Sequence, residues 1–68
     1  MAYGTVKWFN TVRGFGFITP EDGSSELIAH YSAITGEHRQ DLREGQRVEF
    51  DPVQTPKGLQ AINIRDRQ

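Results

Sequence analysis

Phe15 and Phe17 stand one residue apart in the stretch Arg13-Gly14-Phe15-Gly16-Phe17-Ile18, just behind Lys7-Trp8-Phe9-Asn10. In an extended chain, residues two apart point to the same face. Phe15 and Phe17 therefore project together, while Gly14, Gly16 and Ile18 point the other way. Rings backed by glycine make a poor core layer, because glycine contributes no side chain to pack. The same spacing suits an exposed platform. A nucleobase stacked on such a ring contributes about 1–3 kcal/mol with little sequence preference, and Lys7 and Arg13 stand where phosphates would need them. The chemistry indicated is capture, not bond making. Ser24, Ser25, His30 and Asp22 can be assembled on paper into a hydrolytic triad, but the chain has no nucleophile elbow or oxyanion loop around them. No catalytic residue and no enzyme activity are expected. Zinc needs three or four ligands, and two histidines without a cysteine do not supply them. His38 reads as a solvated loop residue, and neither metal nor cofactor is expected.

The elements that must carry these rings are short apolar runs between turn signals, at 3–10, 15–19, 27–31, 47–51 and 59–64. Between them lie polar or Gly/Pro-bearing stretches at 11–14, 20–25, 35–46 and 52–58, with Ser32-Ala33-Ile34 able to hold one short turn. No segment keeps a 3.6-residue apolar period long enough for a helix. Five strands in so small a chain bury one face without long open edges by closing, which predicts an all-β, antiparallel barrel. Alternation assigns Val6, Ile18, Leu27, Ala29, Val48, Phe50, Ile62 and Ile64 to the inside, with Tyr3 also read as core. Ile28 and His30 then share the outer face with Phe15 and Phe17. Trp8 has the parity of inward Val6, so it reaches that face only if the first strand bulges.

Composition sets the limits. Sixty-eight residues form one domain, 1–68, with a thin core. Eight Lys/Arg against nine Asp/Glu leave a net charge of −1, which is not the basic footprint of a duplex binder. A local positive groove is compatible with it, since several acids fall in predicted loops. The lack of cysteine fits a reducing compartment. No apolar run approaches the roughly 18 residues of a membrane span, and the N-terminus lacks a signal-peptide pattern. A cytoplasmic protein without membrane association is expected.

Lys7-Trp8-Phe9-Asn10 with Arg13-Gly14-Phe15-Gly16-Phe17-Ile18 resembles the first ribonucleoprotein motif of bacterial cold-shock proteins, and Leu27-Ile28-Ala29-His30-Tyr31 resembles the second. Gly4-Thr5-Val6, the run from Leu42 to Phe50, and Pro56-Lys57-Gly58-Leu59-Gln60-Ala61 extend the likeness over almost the whole chain. An RNA-recognition motif shares the hexapeptide but needs its second motif upstream and two helices, for which there is no room before Arg13. The resemblance implies a five-stranded OB-fold barrel that binds single-stranded RNA and DNA with low sequence preference and acts as an RNA chaperone or regulator. It implies stacking on Trp8, Phe9, Phe15, Phe17, His30 and Tyr31, and polar or phosphate contacts from Lys7, Arg13, Lys57 and Gln60. Two positions depart from the family pattern: Ile28 replaces a phenylalanine, and His38-Arg39 replaces a loop aromatic. Ile28 lacks a π-face, so weaker binding than in a typical member is expected, with Arg39 compensating through its guanidinium plane. The competing reading is a barrel that serves as a protein-interaction adaptor. A monomer is expected, with strand exchange conceivable through the long 35–46 loop.

Overall fold

The structure is a computed structural model and describes residues 1–35 and 42–67. Five strands appear: β1 (Ala2–Asn10), β2 (Phe15–Pro20), β3 (Leu27–His30), β4 (Arg47–Thr55) and β5 (Gly58–Asp66), with a 3-10 turn at Tyr31–Ala33 after β3. They close into a barrel in the order β1-β2-β3-β5-β4, with β4 returning to β1. Four of the pairings are antiparallel, and the seam between β3 and β5 is parallel, joining Ile28 to Gln60 and Ala29 to Ala61. Closure removes the long free edges that a small open sheet would expose.

The interior holds Val6, Ile18, Leu27, Ala29, Ile34, Leu42, Val48, Phe50, Ala61 and Ile64. Two inward assignments are corrected. Ile62 is 38% exposed, because Asn63 takes a left-handed backbone (φ 51°) and adds an extra residue to β5 where Glu49 and Asp51 pair with Arg65 and Ile62. That bulge resets the alternation, so Ala61 and Ile64 face inward and Ile62 does not. Asn63 is suited to the left-handed region, and its Nδ2 donates to Asp51 Oδ2 at 3.0 Å. Tyr3 also lies outside, 39% exposed, with the Arg67 guanidinium 4.1 Å from its ring centroid. Arg67 in turn pairs with Glu21 at 2.7 Å.

The predicted 52–58 loop is mostly strand. β4 runs on through Pro52 to Thr55 and turns tightly at Pro56-Lys57 into Gly58, whose φ is 117°. Pro52 is tolerated because β1 pairs β4 only as far as Phe50, so beyond that point β4 has β5 alone as a partner. Arg39 and His38 lie outside the described residues.

Candidate nucleic-acid interface

The bulge that Trp8 required is present. Val6 pairs with Ile18 and Trp8 with Phe17, leaving Lys7 as the extra residue in β1. Trp8 is thereby turned onto the face of Phe15 and Phe17, with ring centroids 5.7 and 5.3 Å away and interplanar angles of 65° and 60°. These are edge-to-face contacts. They hold the three rings together while each stays only half-buried.

The glycines explain how this face is built. A Cβ on Gly16 would overlap the Trp8 carbonyl oxygen and lie 2.7 Å from the Phe9 Cα. Only glycine lets β1 and β2 approach so closely here. Phe9 accordingly stays apart from the ring cluster, half-buried and packed against the core. A Cβ on Gly14 would meet the Tyr31 ring at 2.7 Å, and Gly14 also has a φ of 77°. The Gly14 carbonyl accepts from the Tyr31 N–H at 2.8 Å, which pins the turn after β3 to the loop after β1. Asn10 shapes that loop: its Oδ1 accepts from the backbone of Val12 at 3.0 Å and Arg13 at 2.9 Å. Arg13 is thus presented by a hydrogen-bonded loop.

Across β2 and β3, Phe15 stands opposite His30 and Phe17 opposite Ile28, and Ile28 pairs onward with Gln60. Tyr31 is 55% exposed, with its ring centroid 4.6 Å from that of His30 at a 38° tilt. A groove of about 700 Å³ opens beside this face, lined among others by Phe15, Ile28, His30, Gln60 and Ile62. Arg13 and Lys57 line it too, and among the described residues no Asp or Glu does. Neither cation has a carboxylate partner among the described residues. Gln60 keeps its amide free of hydrogen bonds among those residues, whereas the amides of Gln46 and Gln54 are engaged.

The structure therefore gathers Trp8, Phe15, Phe17, Ile28, His30 and Tyr31 with Arg13, Lys57 and Gln60 on one side of the barrel. Lys7 is held by Glu26, 2.8 Å away. Sequence reasoning missed Ile62 and Asn63 as groove residues, because Asn63 reads as an ordinary polar step between Ile62 and Ile64; its one signal is that asparagine tolerates the left-handed backbone it adopts. Among the described residues no cluster of His, Cys, Asp and Glu gathers to hold a metal ion, and no helix is long and apolar enough to cross a membrane.

The sequence model described as the 'Cold-shock' DNA-binding domain matches residues 2–67. The chain is 55% identical over 64 residues to the major cold shock protein of Micrococcus luteus, covering 94% of this chain and 96% of that protein. It is 53% identical to the cold shock protein ScoF of Streptomyces coelicolor, again over 94% of this chain and 96% of the relative. A solved structure described as drosophila Unr CSD456 superposes with a TM-score of 0.81 at 25% identity over 98% of this chain, which spans 26% of that longer chain. The closed five-stranded barrel is thus an OB-fold. With the match running from Ala2 to Arg67 and the aromatic motifs carried on one barrel face, the chain belongs to the cold-shock domain family, whose members bind nucleic acid.

Proposed function

We infer that this chain binds single-stranded RNA and DNA with low sequence preference, as a single unit over residues 1–68, by stacking bases on Trp8, Phe15, Phe17, His30 and Tyr31. The observation that carries this is the half-exposed cluster of Trp8, Phe15 and Phe17 beside a groove whose charged lining, among the described residues, is Arg13 and Lys57. Stacking is sequence-tolerant because every base has a π-face, and cations along the groove follow the backbone. An RNA chaperone in the cytoplasm fits this chemistry. Trapping unpaired bases shifts weak hairpins toward the open strand without ATP.

Trp8 is the sole tryptophan, so its fluorescence reports the site directly. Titration with a short pyrimidine oligonucleotide should quench it at micromolar concentrations. With two phosphate contacts, from Arg13 and Lys57, at roughly −0.7 each, log affinity should fall by about 1.4 per log unit of salt. A flat response from the folded protein would instead favour a protein-interaction adaptor.

A further inference from the structure

His30 ends β3 and caps the 3-10 turn, and one residue holds its ring. The Ser32 backbone N–H donates to His30 Nδ1 at 3.2 Å, and Ser32 Oγ lies 2.7 Å from the same nitrogen. A ring nitrogen that accepts a backbone N–H carries no proton, so the neutral imidazole keeps its hydrogen on Nε2. Nε2 has no partner among the described residues, and His30 is exposed on the wall of the groove. When the ring gains a second proton, the 3.2 Å contact is lost, but Nδ1–H can turn to Ser32 Oγ. A hydroxyl accepts as well as donates, so the ring keeps its place in both charge states.

The groups around His30 narrow what Nε2–H would meet. Arg13 comes from the loop after β1, Phe15 from β2, Tyr31 and Ser32 from the 3-10 turn, and Lys57 from the turn between β4 and β5. Among the described residues the charged ones are both cations. We propose that His30 donates a hydrogen bond through Nε2–H to a backbone phosphate of the bound strand, and that Ser32 is the residue that positions it. The inference rests on the single-strand reading above and adds a role for the edge of the ring. One face of His30 lies toward Tyr31 and the other is left for a base, so edge and face serve different groups.

The test compares the wild type with His30→Gln and Ser32→Ala, using Trp8 quenching by a short oligothymidylate at about pH 5.5 and about pH 8. In the wild type, binding should tighten about three- to tenfold at the lower pH. The slope of log affinity against log salt should steepen by about 0.7, the mark of one more phosphate contact on a single strand. His30→Gln keeps a donor near the Nε2 position but cannot charge, and should show neither change. His38 is present in every variant, so the difference reports His30. Nitrogen NMR of the free wild type should show neutral His30 as the Nε2–H tautomer. Ser32→Ala keeps the backbone N–H and with it the Nε2–H tautomer, but loses the hydroxyl that holds the charged ring, and should weaken binding about threefold at pH 5.5. A wild type that binds with the same salt slope at both pH values, or a free His30 in the Nδ1–H form, overturns the His30 proposal alone. Absence of quenching in the folded wild type removes the single-strand reading and this proposal with it.

Discussion

Replacing Ile28 by phenylalanine adds a ring at the one aliphatic position of the stacking face. The Ile28 Cα is in register with Phe17 on β2 and Gln60 on β5, and its half-buried side chain lines the groove, not the core. The core neighbours on β3 are Leu27 and Ala29. A larger side chain at position 28 therefore extends into open space, and stability should change by no more than about 0.5 kcal/mol. A ring stacking on one base supplies about 1–3 kcal/mol. The isoleucine already supplies part of this, since about 40 Å² of apolar contact at roughly 25 cal/mol per Å² is about 1 kcal/mol. The difference is about 1 kcal/mol, or about fivefold tighter binding of a pyrimidine oligonucleotide. Trp8 quenching at fixed salt measures it, and a thermal melt confirms that the fold is unchanged. No charge is altered, so the salt slope should stay the same. A dissociation constant within twofold of the wild type, in a variant with an unchanged melting temperature, would show that position 28 does not meet a base.

Gly16→Ala should lower the melting temperature by about 10 °C or more, because its Cβ would press on the backbone of Trp8 and Phe9. Overpacking of this kind costs about 1–3 kcal/mol, and each kcal/mol moves the melting point of so small a domain by about 4–8 °C; an unshifted calorimetric transition would refute the close-approach argument. Glu26→Gln should leave stability within about 0.5 kcal/mol, since its 2.8 Å contact with Lys7 joins side chains 41% and 54% exposed. The freed Lys7 should nonetheless steepen the salt slope of oligonucleotide binding by about 0.7, and an unaltered slope would mean that Lys7 does not reach a phosphate. Asp22 is held below the ordinary carboxylate value by hydrogen bonds from the Ser24 hydroxyl and then the Ser24 backbone N–H, the latter at 2.8 Å. A depressed folded pKa contributes stability above the unfolded value near 3.8, and that contribution is lost as pH falls through the lower folded value. Ser24→Ala should shift the Asp22 titration upward in carboxyl NMR, whereas an unmoved titration would assign the depression elsewhere.

What could be read ahead of the coordinates follows from how local each signal is. The alternation in Phe15-Gly16-Phe17 depends only on strand geometry, and both rings stand outside as that geometry requires. The conflict of parity between Val6 and Trp8 exposed the β1 bulge, because two demands on one strand could be met only by an extra residue. The bulge at Asn63 went unread because no outer-face motif on β5 created such a conflict. A plain apolar alternation across Ile62 and Ile64 hid a shift set by pairing with β4, a neighbour far away in sequence. Tyr3 was misassigned for a related reason: what covers its ring is Arg67, at the other end of the chain. Pro52 looked like a strand terminator, yet its cost depends on whether a second strand lies alongside, and that is a property of barrel closure.

A net charge of −1 does not favour binding a polyanion, and the placement of the charges resolves the conflict. Glu21 is paired with Arg67, Glu49 with Arg65 and Asp51 with the N-terminus, and none of these three acids lines the groove. Among the described residues Glu26 alone reaches a cation of the aromatic motif, at Lys7. Four carboxylates are thus held by cations of their own, and among the described residues Arg13 and Lys57 face a groove that no acid lines. A screened solution reduces charge effects beyond roughly 10 Å at 0.1 M salt, so a bound strand responds to these nearby cations far more than to the total. Net charge then governs how the domain behaves toward distant nucleic acid, while the groove governs contact. A domain of this kind discriminates against loose electrostatic adhesion and favours strands whose bases are free to stack.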